Sequence, residues 1–184
     1  MTRLILVRHG RAAGGWDDDL DPGLDDLGRA QADAMADLVA PRGPMPILVS
    51  PLRRCRDTAA ALEQRWRTVA TVDAAVGEIP SPPGVPMQQR TTWLRTAMAG
   101  TWADVGDAYM SWRDSVVARL IAIDTDTVIV SHFVAINAAI GTAIGSDQIV
   151  IAALDNCSLT IIDVVDGNLV LVEQGSEAPD TLVR

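Results

Sequence analysis

The sequence contains no lysine, and its 15 basic side chains are all arginines. A chain without lysine can form neither a Walker-type phosphate loop nor a Schiff base on a lysine side chain. Histidine and cysteine are also scarce, with two of each, and Cys55 and Cys157 lie far apart without metal-type spacing. We therefore expect two free thiols, no metal site and no cofactor.

Long apolar runs and positive net charge are lacking as well. No run reaches the length of a membrane-spanning helix, and no signal-peptide pattern follows Met1. The net charge of −9 argues against binding to nucleic acid or to an anionic membrane surface. These features predict a cytoplasmic protein of one domain over its 184 residues, and both a monomer and an oligomer are compatible with them.

Both histidines directly follow short apolar stretches that are typical of buried strands. Residues 4–7 precede Arg8 and His9, and residues 127–131 precede His132. In open α/β sheets, the carboxyl ends of parallel strands form the edge where ligands bind. We therefore expect the two histidines and the arginine to lie near one another at such an edge.

A third apolar run, residues 47–49, ends in a sequence that favours a helix start. Ser50 suits an N-cap and Pro51 suits the first helical position, so a helix is predicted from there to about residue 66. Cations near a helix N-terminus oppose its dipole, and a bound anion explains them better than a solvated basic face. Three arginines occupy this first turn and a half: Arg53, Arg54 and Arg56.

The remaining pattern alternates apolar strands with helical periodicity, which predicts the α/β class. The single domain, residues 1–184, includes a mainly helical excursion at about 74–123. A β-hairpin is predicted at about 157–174, because Asp166-Gly167 is a strong two-residue turn signal between apolar runs.

Four pieces of this sequence, in this order, resemble the histidine phosphatase superfamily, which includes the phosphoglycerate mutases. The resemblance covers roughly residues 3–145 and implies a three-layer α/β/α sandwich with a mostly parallel central sheet. The matching pieces are Arg8-His9-Gly10, the stretch 22–32, the stretch Ser50-Pro51-Leu52-Arg53-Arg54 to Thr58-Ala59, and Ser131-His132.

By this resemblance, His9 is the nucleophile and forms a phosphohistidine, while Arg8, Arg54 and His132 hold the phosphoryl oxygens. Glu78 is implied as the proton donor to the leaving group. A neutral imidazole must attack phosphorus, so we expect the second ring nitrogen of His9 to be hydrogen-bonded to the backbone.

Glu78 must be protonated to act as an acid. We expect desolvation and the like charge of a phosphate dianion to raise its pKa from the usual value of about 4.3. The acidic run Asp17 to Asp19 supplies the next candidates.

The resemblance is weaker where the substrate's leaving group would bind. Arg11 and Ala12 follow the Arg-His-Gly motif, as in the phosphohistidine phosphatase type, and Phe133 replaces a residue that is often small. The apolar residues of 74–110 favour a leaving group with an apolar or aromatic part over a compact multi-anion. The predicted substrate-binding residues are Gly10, Arg11, Arg90, Trp93 and Phe133.

The predicted function is metal-independent hydrolysis of phosphate monoesters, with a small phosphorylated molecule as substrate. A phosphoglycerate mutase-type phosphotransferase and a protein phosphohistidine phosphatase are the alternative enzymes. A non-catalytic phosphate-binding module is a third alternative, which the full set of two histidines and two arginines disfavours.

Overall fold

The computed structural model describes residues 1–15 and 19–178, so Asp17 and Asp18 lie outside the described residues. Within these ranges one sheet has the strand order β3-β2-β4-β1-β5-β6. The first four strands along the chain are parallel in the sheet, and the last two run antiparallel to their neighbours. The strands are β1 (Thr2–Arg8), β2 (Ile47–Val49), β3 (Thr71–Val72), β4 (Thr127–Ser131), β5 (Leu159–Val165) and β6 (Asn168–Glu173).

Alternating side chains of β1 divide the core into two layers, one on each face of the sheet. Leu4 and Leu6 pack with residues of helices α3 to α6, whereas Ile5 and Val7 pack with helices α1 and α2. The expected three-layer α/β/α sandwich is thereby confirmed. The helices are α1 (Asp26–Val39), α2 (Arg53–Trp66), α3 (Arg90–Met98), α4 (Trp102–Val105), α5 (Asp107–Ile121) and α6 (Phe133–Ile144).

Helix α2 begins two residues later than predicted. Its N-cap is Leu52, which makes no side-chain cap hydrogen bond, so the prediction that Ser50 caps the helix is wrong. The hydroxyl of Ser50 instead lies 2.7 Å from Nε2 of His132. A residue at the end of a central strand is close enough to the neighbouring strand end to bond there, and this long-range contact is shorter than the local bond of 3.4 Å that the Leu52 N–H donates to the same hydroxyl.

The hairpin at the end of the described chain follows the predicted turn. Asp166 and Gly167 both have positive φ, 50° and 76°, as a two-residue turn of the twisted β-hairpin type requires. Between β3 and β4 the chain leaves the sheet to form α3, α4 and α5, and this segment contains residues that approach the strand ends. None of the described helices has the length and apolar character that crossing a membrane requires.

Candidate active site

The two histidines lie side by side at the carboxyl edge of the parallel strands. β1 and β4 are neighbours in register, with Arg8 opposite Ser131, so the residues that follow them are adjacent. The backbone N–H of His9 donates to the carbonyl of Ser131 over 3.0 Å. The ring centroids of His9 and His132 are 5.2 Å apart, with an interplanar angle of 65°.

The environment of His9 determines which ring nitrogen is free to react. Nδ1 lies 2.8 Å from the carbonyl oxygen of Gly10, an acceptor, so Nδ1 carries the proton. The expected backbone hydrogen bond is therefore confirmed, and Nε2 keeps its lone pair. Nε of Arg54 donates to this Nε2 over 3.1 Å. Burial, and then the charges of Arg54, His132 and Arg8, lower the pKa of His9 well below its usual value, which keeps the imidazole neutral.

The loop that carries His9 is fixed by contacts from three other segments. Asn156 donates to the His9 carbonyl over 2.9 Å, and the Gly10 N–H donates to Thr58 Oγ1 over 3.0 Å. A Cβ on Gly10 would lie 2.6 Å from the carbonyl oxygen of Gly28, so this position requires glycine. Gly10 thus positions the loop through its backbone.

Of the three arginines at the start of α2, only Arg54 is buried, at 4% exposure. Arg53 and Arg56 are exposed to solvent. Besides contacting His9, the Arg54 guanidinium lies 3.2 Å from Nδ1 of His132 and 3.5 Å from a carboxylate oxygen of Glu78. A planar cation in contact with three polar groups is suited to bind phosphoryl oxygens in a fixed orientation.

Arg8 provides a second buried guanidinium. Its Cζ lies 5.0 Å from the ring centroid of Phe133, and one of its nitrogens donates to the carbonyl of Leu154. Its Nε is buried without a hydrogen-bond partner among the described residues. Burial lowers the pKa of Arg8, but an arginine still remains charged at neutral pH. Phe133 therefore packs against the Arg8 guanidinium as a cation–π partner.

His132 is held between a hydroxyl and a carboxylate. Its Nε2 is 2.7 Å from Oγ of Ser50, and its Nδ1 is 3.2 Å from Oε2 of Glu78. The thiol of Cys55 also lies 3.4 Å from Nε2. Burial lowers the pKa of His132, and the neighbouring carboxylate opposes this shift. His132 can therefore donate a hydrogen bond from Nδ1 toward the space beside Arg54.

Glu78 reaches this site from the loop that follows the 3-10 helix Ala74–Val76. Ser131 Oγ donates to the Val76 carbonyl over 2.7 Å, which ties the loop to the end of β4. Burial raises the pKa of Glu78, but His132 and the Arg54 guanidinium outweigh it and lower the pKa to about 2. The expected raised pKa is thus wrong for this arrangement, because the carboxylate lies against two hydrogen-bond donors.

The fold assembles a group of potential metal ligands that residue counts did not indicate. One ligand atom each from His9, Glu78 and His132 lies within 4.8 Å of the others. The expectation that no residues could hold a metal rests on residue counts and sequence spacing. It is wrong in this respect, because the three residues come from separate segments of the chain. Two buried guanidinium groups, Arg8 and Arg54, adjoin the same atoms and repel a cation, so the charge pattern favours an oxyanion.

A cavity of about 340 Å³ opens beside Arg54 and Glu78. Arg90, the first residue of α3, lies on its lining together with Leu52 and Ile79. Small-molecule sites have volumes of roughly 300–1,000 Å³. The cavity can therefore hold more than a phosphoryl group, and its lining is mixed in polarity.

The other predicted substrate-binding side chains have partners within the protein. Nε of Arg11 pairs with a carboxylate oxygen of Asp25 at 2.6 Å. Trp93 packs against Tyr109 with ring centroids 5.2 Å apart, and Phe133 lies under Arg8. Arg90 is thus the member of the predicted set whose side chain the structure brings to the cavity.

Three supporting residues escaped sequence reasoning: Ser50 as the partner of His132, Asn156 and Cys55. Ser50 and Cys55 stand inside the motif that carries Arg54, which was a usable signal. Asn156 lies in a loop far along the chain, and nothing in its local sequence indicates a contact with the carbonyl of His9.

Comparison with known proteins agrees with this geometry. Residues 4–176 match the family described as the histidine phosphatase superfamily (branch 1). A curated glucosyl-3-phosphoglycerate phosphatase from Mycobacterium tuberculosis is 33% identical over 116 residues, which cover 61% of this chain and 48% of that protein. The match thus spans about half the length of the curated relative.

Solved structures share the fold over a longer range. The structure named mycobacterial hydrolase 1 has a TM-score of 0.74 at 25% identity and covers 97% of this chain and 100% of that chain. A mycobacterial glucosyl-3-phosphoglycerate phosphatase in complex with VO3 has a TM-score of 0.69 at 26% identity, covering 89% of this chain and 93% of that chain. Since the family match extends over almost all of the sequence and includes both histidines, the chain belongs to the histidine phosphatase superfamily (branch 1).

Proposed function

We propose that this protein is a phosphatase that hydrolyses phosphate monoesters of small molecules through a phosphohistidine on His9. The observation that carries the proposal is the His9 ring itself. Its Nδ1 proton is bound by the Gly10 carbonyl, and its Nε2 lone pair faces the guanidinium of Arg54. A neutral, oriented imidazole beside a fixed cation has the features of an activated nucleophile for phosphoryl transfer.

In the first step, Nε2 of His9 attacks phosphorus, and the bond from phosphorus to the ester oxygen breaks. Arg8, Arg54 and His132 stabilise the charge on the three remaining phosphoryl oxygens. Glu78 gives a proton to the leaving oxygen. In the second step a water molecule gives a proton back to Glu78 and attacks phosphorus, which releases phosphate and restores the neutral imidazole.

Protonation of Glu78 before the first step requires a change in its surroundings. A bound phosphoryl dianion would take the hydrogen bonds of Arg54 and His132 and add a like charge close to the carboxylate. Both effects raise the pKa of Glu78 from the low value that its present neighbours give it. The substrate thereby helps to protonate the acid that it needs.

The phosphatase reaction is favoured over the mutase reaction by the relatives, since the curated relative and a solved one are both glucosyl-3-phosphoglycerate phosphatases. We further infer that the 184 residues act as one domain in the cytoplasm. Both cysteines are free thiols, as suits a reducing compartment.

The test is hydrolysis of p-nitrophenyl phosphate with EDTA present throughout, by wild type, His9→Ala and the exposed-residue control Arg56→Ala. We expect wild-type and Arg56→Ala activity to persist with EDTA, and His9→Ala to be inactive while still folded. Rapid quenching with labelled substrate should trap an acid-labile, base-stable phosphoenzyme. Loss of activity in EDTA that Mg²⁺ restores, or label on a serine or threonine, would contradict the mechanism.

The mutase alternative has its own measurement. Incubation of 3-phosphoglycerate with catalytic 2,3-bisphosphoglycerate should release inorganic phosphate and form no 2-phosphoglycerate. Rapid isomerisation with little free phosphate would instead identify a phosphotransferase.

A further inference from the structure

The position of Glu78 in a substrate complex depends on the chain segment that carries it. In the structure its carboxylate lies 3.2 Å from Nδ1 of His132 and 3.5 Å from the Arg54 guanidinium. A phosphoryl group that takes over these two donors, as the proposed reaction requires, removes both contacts. The Ile79 N–H, which donates to the same carboxylate over 3.1 Å, belongs to the next residue and moves with Glu78. The acid is then held in place by whatever anchors residues 74–79.

Asp73 anchors the start of this segment with both of its carboxylate oxygens. Oδ1 accepts from the Ala75 N–H over 2.9 Å and caps the 3-10 helix Ala74–Val76. Oδ2 accepts from Nε of Arg119, in helix α5, over 2.6 Å. One carboxylate therefore joins the 3-10 helix that precedes Glu78 to the long helix that packs on it.

Helix α5 and strand β4 hold the other end of the 3-10 helix. Val76 is buried in one core cluster with Val116 of α5, and its carbonyl accepts from Ser131 Oγ over 2.7 Å. The carbonyl of Ser131 also accepts from the His9 N–H, so a change at Ser131 would affect nucleophile and acid together. Arg119 is the better probe, because among the described residues it has no hydrogen bond or ion pair with a catalytic side chain.

From these contacts we infer that the Arg119–Asp73 pair positions Glu78 for proton transfer to the leaving group. The inference rests on the proposed phosphatase function and adds two positioning residues to it, both of which act through Glu78. A proton donor must lie within hydrogen-bond reach of the leaving oxygen, and a misplacement of about 1 Å can cost about 10²-fold in rate. The paired side chains are 33% and 19% exposed, so the pair contributes little to stability. Its removal should loosen the segment without unfolding the protein.

The experiment measures kcat/KM on two esters. Glycerol 3-phosphate has an alkoxide leaving group that needs a proton, whereas the nitrophenolate of p-nitrophenyl phosphate needs none. Arg119→Gln and Asp73→Asn should each lower kcat/KM by roughly 10-fold on glycerol 3-phosphate and by less than about twofold on p-nitrophenyl phosphate. Asp73→Asn keeps an oxygen for the Ala75 N–H. Arg119→Lys should restore part of the rate, because an ammonium group can still pair with Asp73.

Arg113→Gln is the matched control, since Arg113 lies on the same helix and pairs with Asp147 at 3.2 Å. This variant should keep the wild-type ratio of the two kcat/KM values. In a Glu78→Gln background, Arg119→Gln should cause no further loss on glycerol 3-phosphate, because the group that it positions is already gone. Equal losses on both esters, an unchanged ratio, or an additive loss in the double variant would overturn the inference, while p-nitrophenyl phosphate hydrolysis would still support the phosphatase.

Hydrogen exchange separates the two proposals if wild type hydrolyses neither ester. The amides of residues 74–79 should exchange several-fold faster in Arg119→Gln than in wild type or Arg113→Gln, because the local opening of a less anchored segment costs less free energy. Unchanged exchange in this segment would overturn the anchoring as well. Faster exchange confined to the segment would retain the anchoring, and the failure would then lie in the proposed function.

Discussion

His9 and His132 carry the same imidazole, but their neighbours give them different chemistry. His9 donates from Nδ1 to a backbone carbonyl and presents Nε2, whereas His132 lies between the Ser50 hydroxyl and the Glu78 carboxylate. A backbone carbonyl can only accept, so it fixes one tautomer, while a hydroxyl and a carboxylate permit either protonation state. His9 is thus suited to attack and His132 to stabilise charge.

Glu78→Gln should separate leaving groups by their need for a proton. The loss of kcat should be about 10²-fold or more for glycerol 3-phosphate, and much smaller for p-nitrophenyl phosphate, because nitrophenolate leaves without a proton. The wild-type rate on the alkyl ester should fall as pH rises through the pKa of Glu78 in the substrate complex. The rate of the Glu78→Gln variant should not show this decrease.

Pre-steady-state kinetics on both esters provide the measurement, with Glu173→Gln, an exposed residue at the end of strand β6, as control. Equal losses on both esters would show that Glu78 is no general acid. Glu78 would then contribute to catalysis only through its contacts with Arg54 and His132.

At the scale of elements, the strand ends were predictable and the loops between them were only partly so. Strand β4 before His132 and helix α6 after it are both predicted by a nearly continuous run of apolar residues. Such a run is expected because both elements are largely buried. Helix α4, with its Thr101 and Asp104 capping box, was missed because four residues are too few to show periodicity. The side-chain directions of Glu78 and Arg90 likewise depend on packing that no local pattern encodes.

Helix α1 meets the catalytic loop at a glycine, which makes the contact between the two elements testable. A Cβ at Gly28 would lie 2.1 Å from the carbonyl oxygen of Arg11, a backbone atom that has little freedom to move. Alanine favours helix by up to about 1 kcal/mol over glycine, but overpacking against backbone costs typically 1–3 kcal/mol. We expect Gly28→Ala to lower both the free energy of unfolding and kcat.

Gly141→Ala in α6 is the matched substitution, because its new Cβ would lie 3.2 Å from the nearest atom, the Ser146 carbonyl oxygen. Urea unfolding of both variants supplies the comparison. A Gly28→Ala protein as stable and active as wild type would mean that α1 can shift without disturbing the loop of His9.

At the scale of the whole molecule, the site exists only when the sheet is assembled. Arg8 and His9 follow β1, Arg54 follows β2, and His132 follows β4, so distant parts of the sequence become neighbours through parallel pairing. This convergence was predictable, because parallel strands bring their carboxyl ends to one edge. The unfolded chain cannot reproduce the cluster, so an oxyanion that binds it binds the native state alone.

Vanadate should therefore stabilise the fold, and by an amount that reports on the arginines. At 100 times its Kd, a ligand of the native state adds about 2.7 kcal/mol, which raises Tm by roughly 5–11 °C for a chain of this size. Calorimetry with and without vanadate, at matched ionic strength in chloride, measures the shift. Arg54→Lys should lose most of it, because an ammonium group lacks the planar fork, while exposed Arg56→Ala should retain it. The same shift in Arg54→Lys as in wild type would locate oxyanion binding away from this arginine, and with it the phosphoryl group.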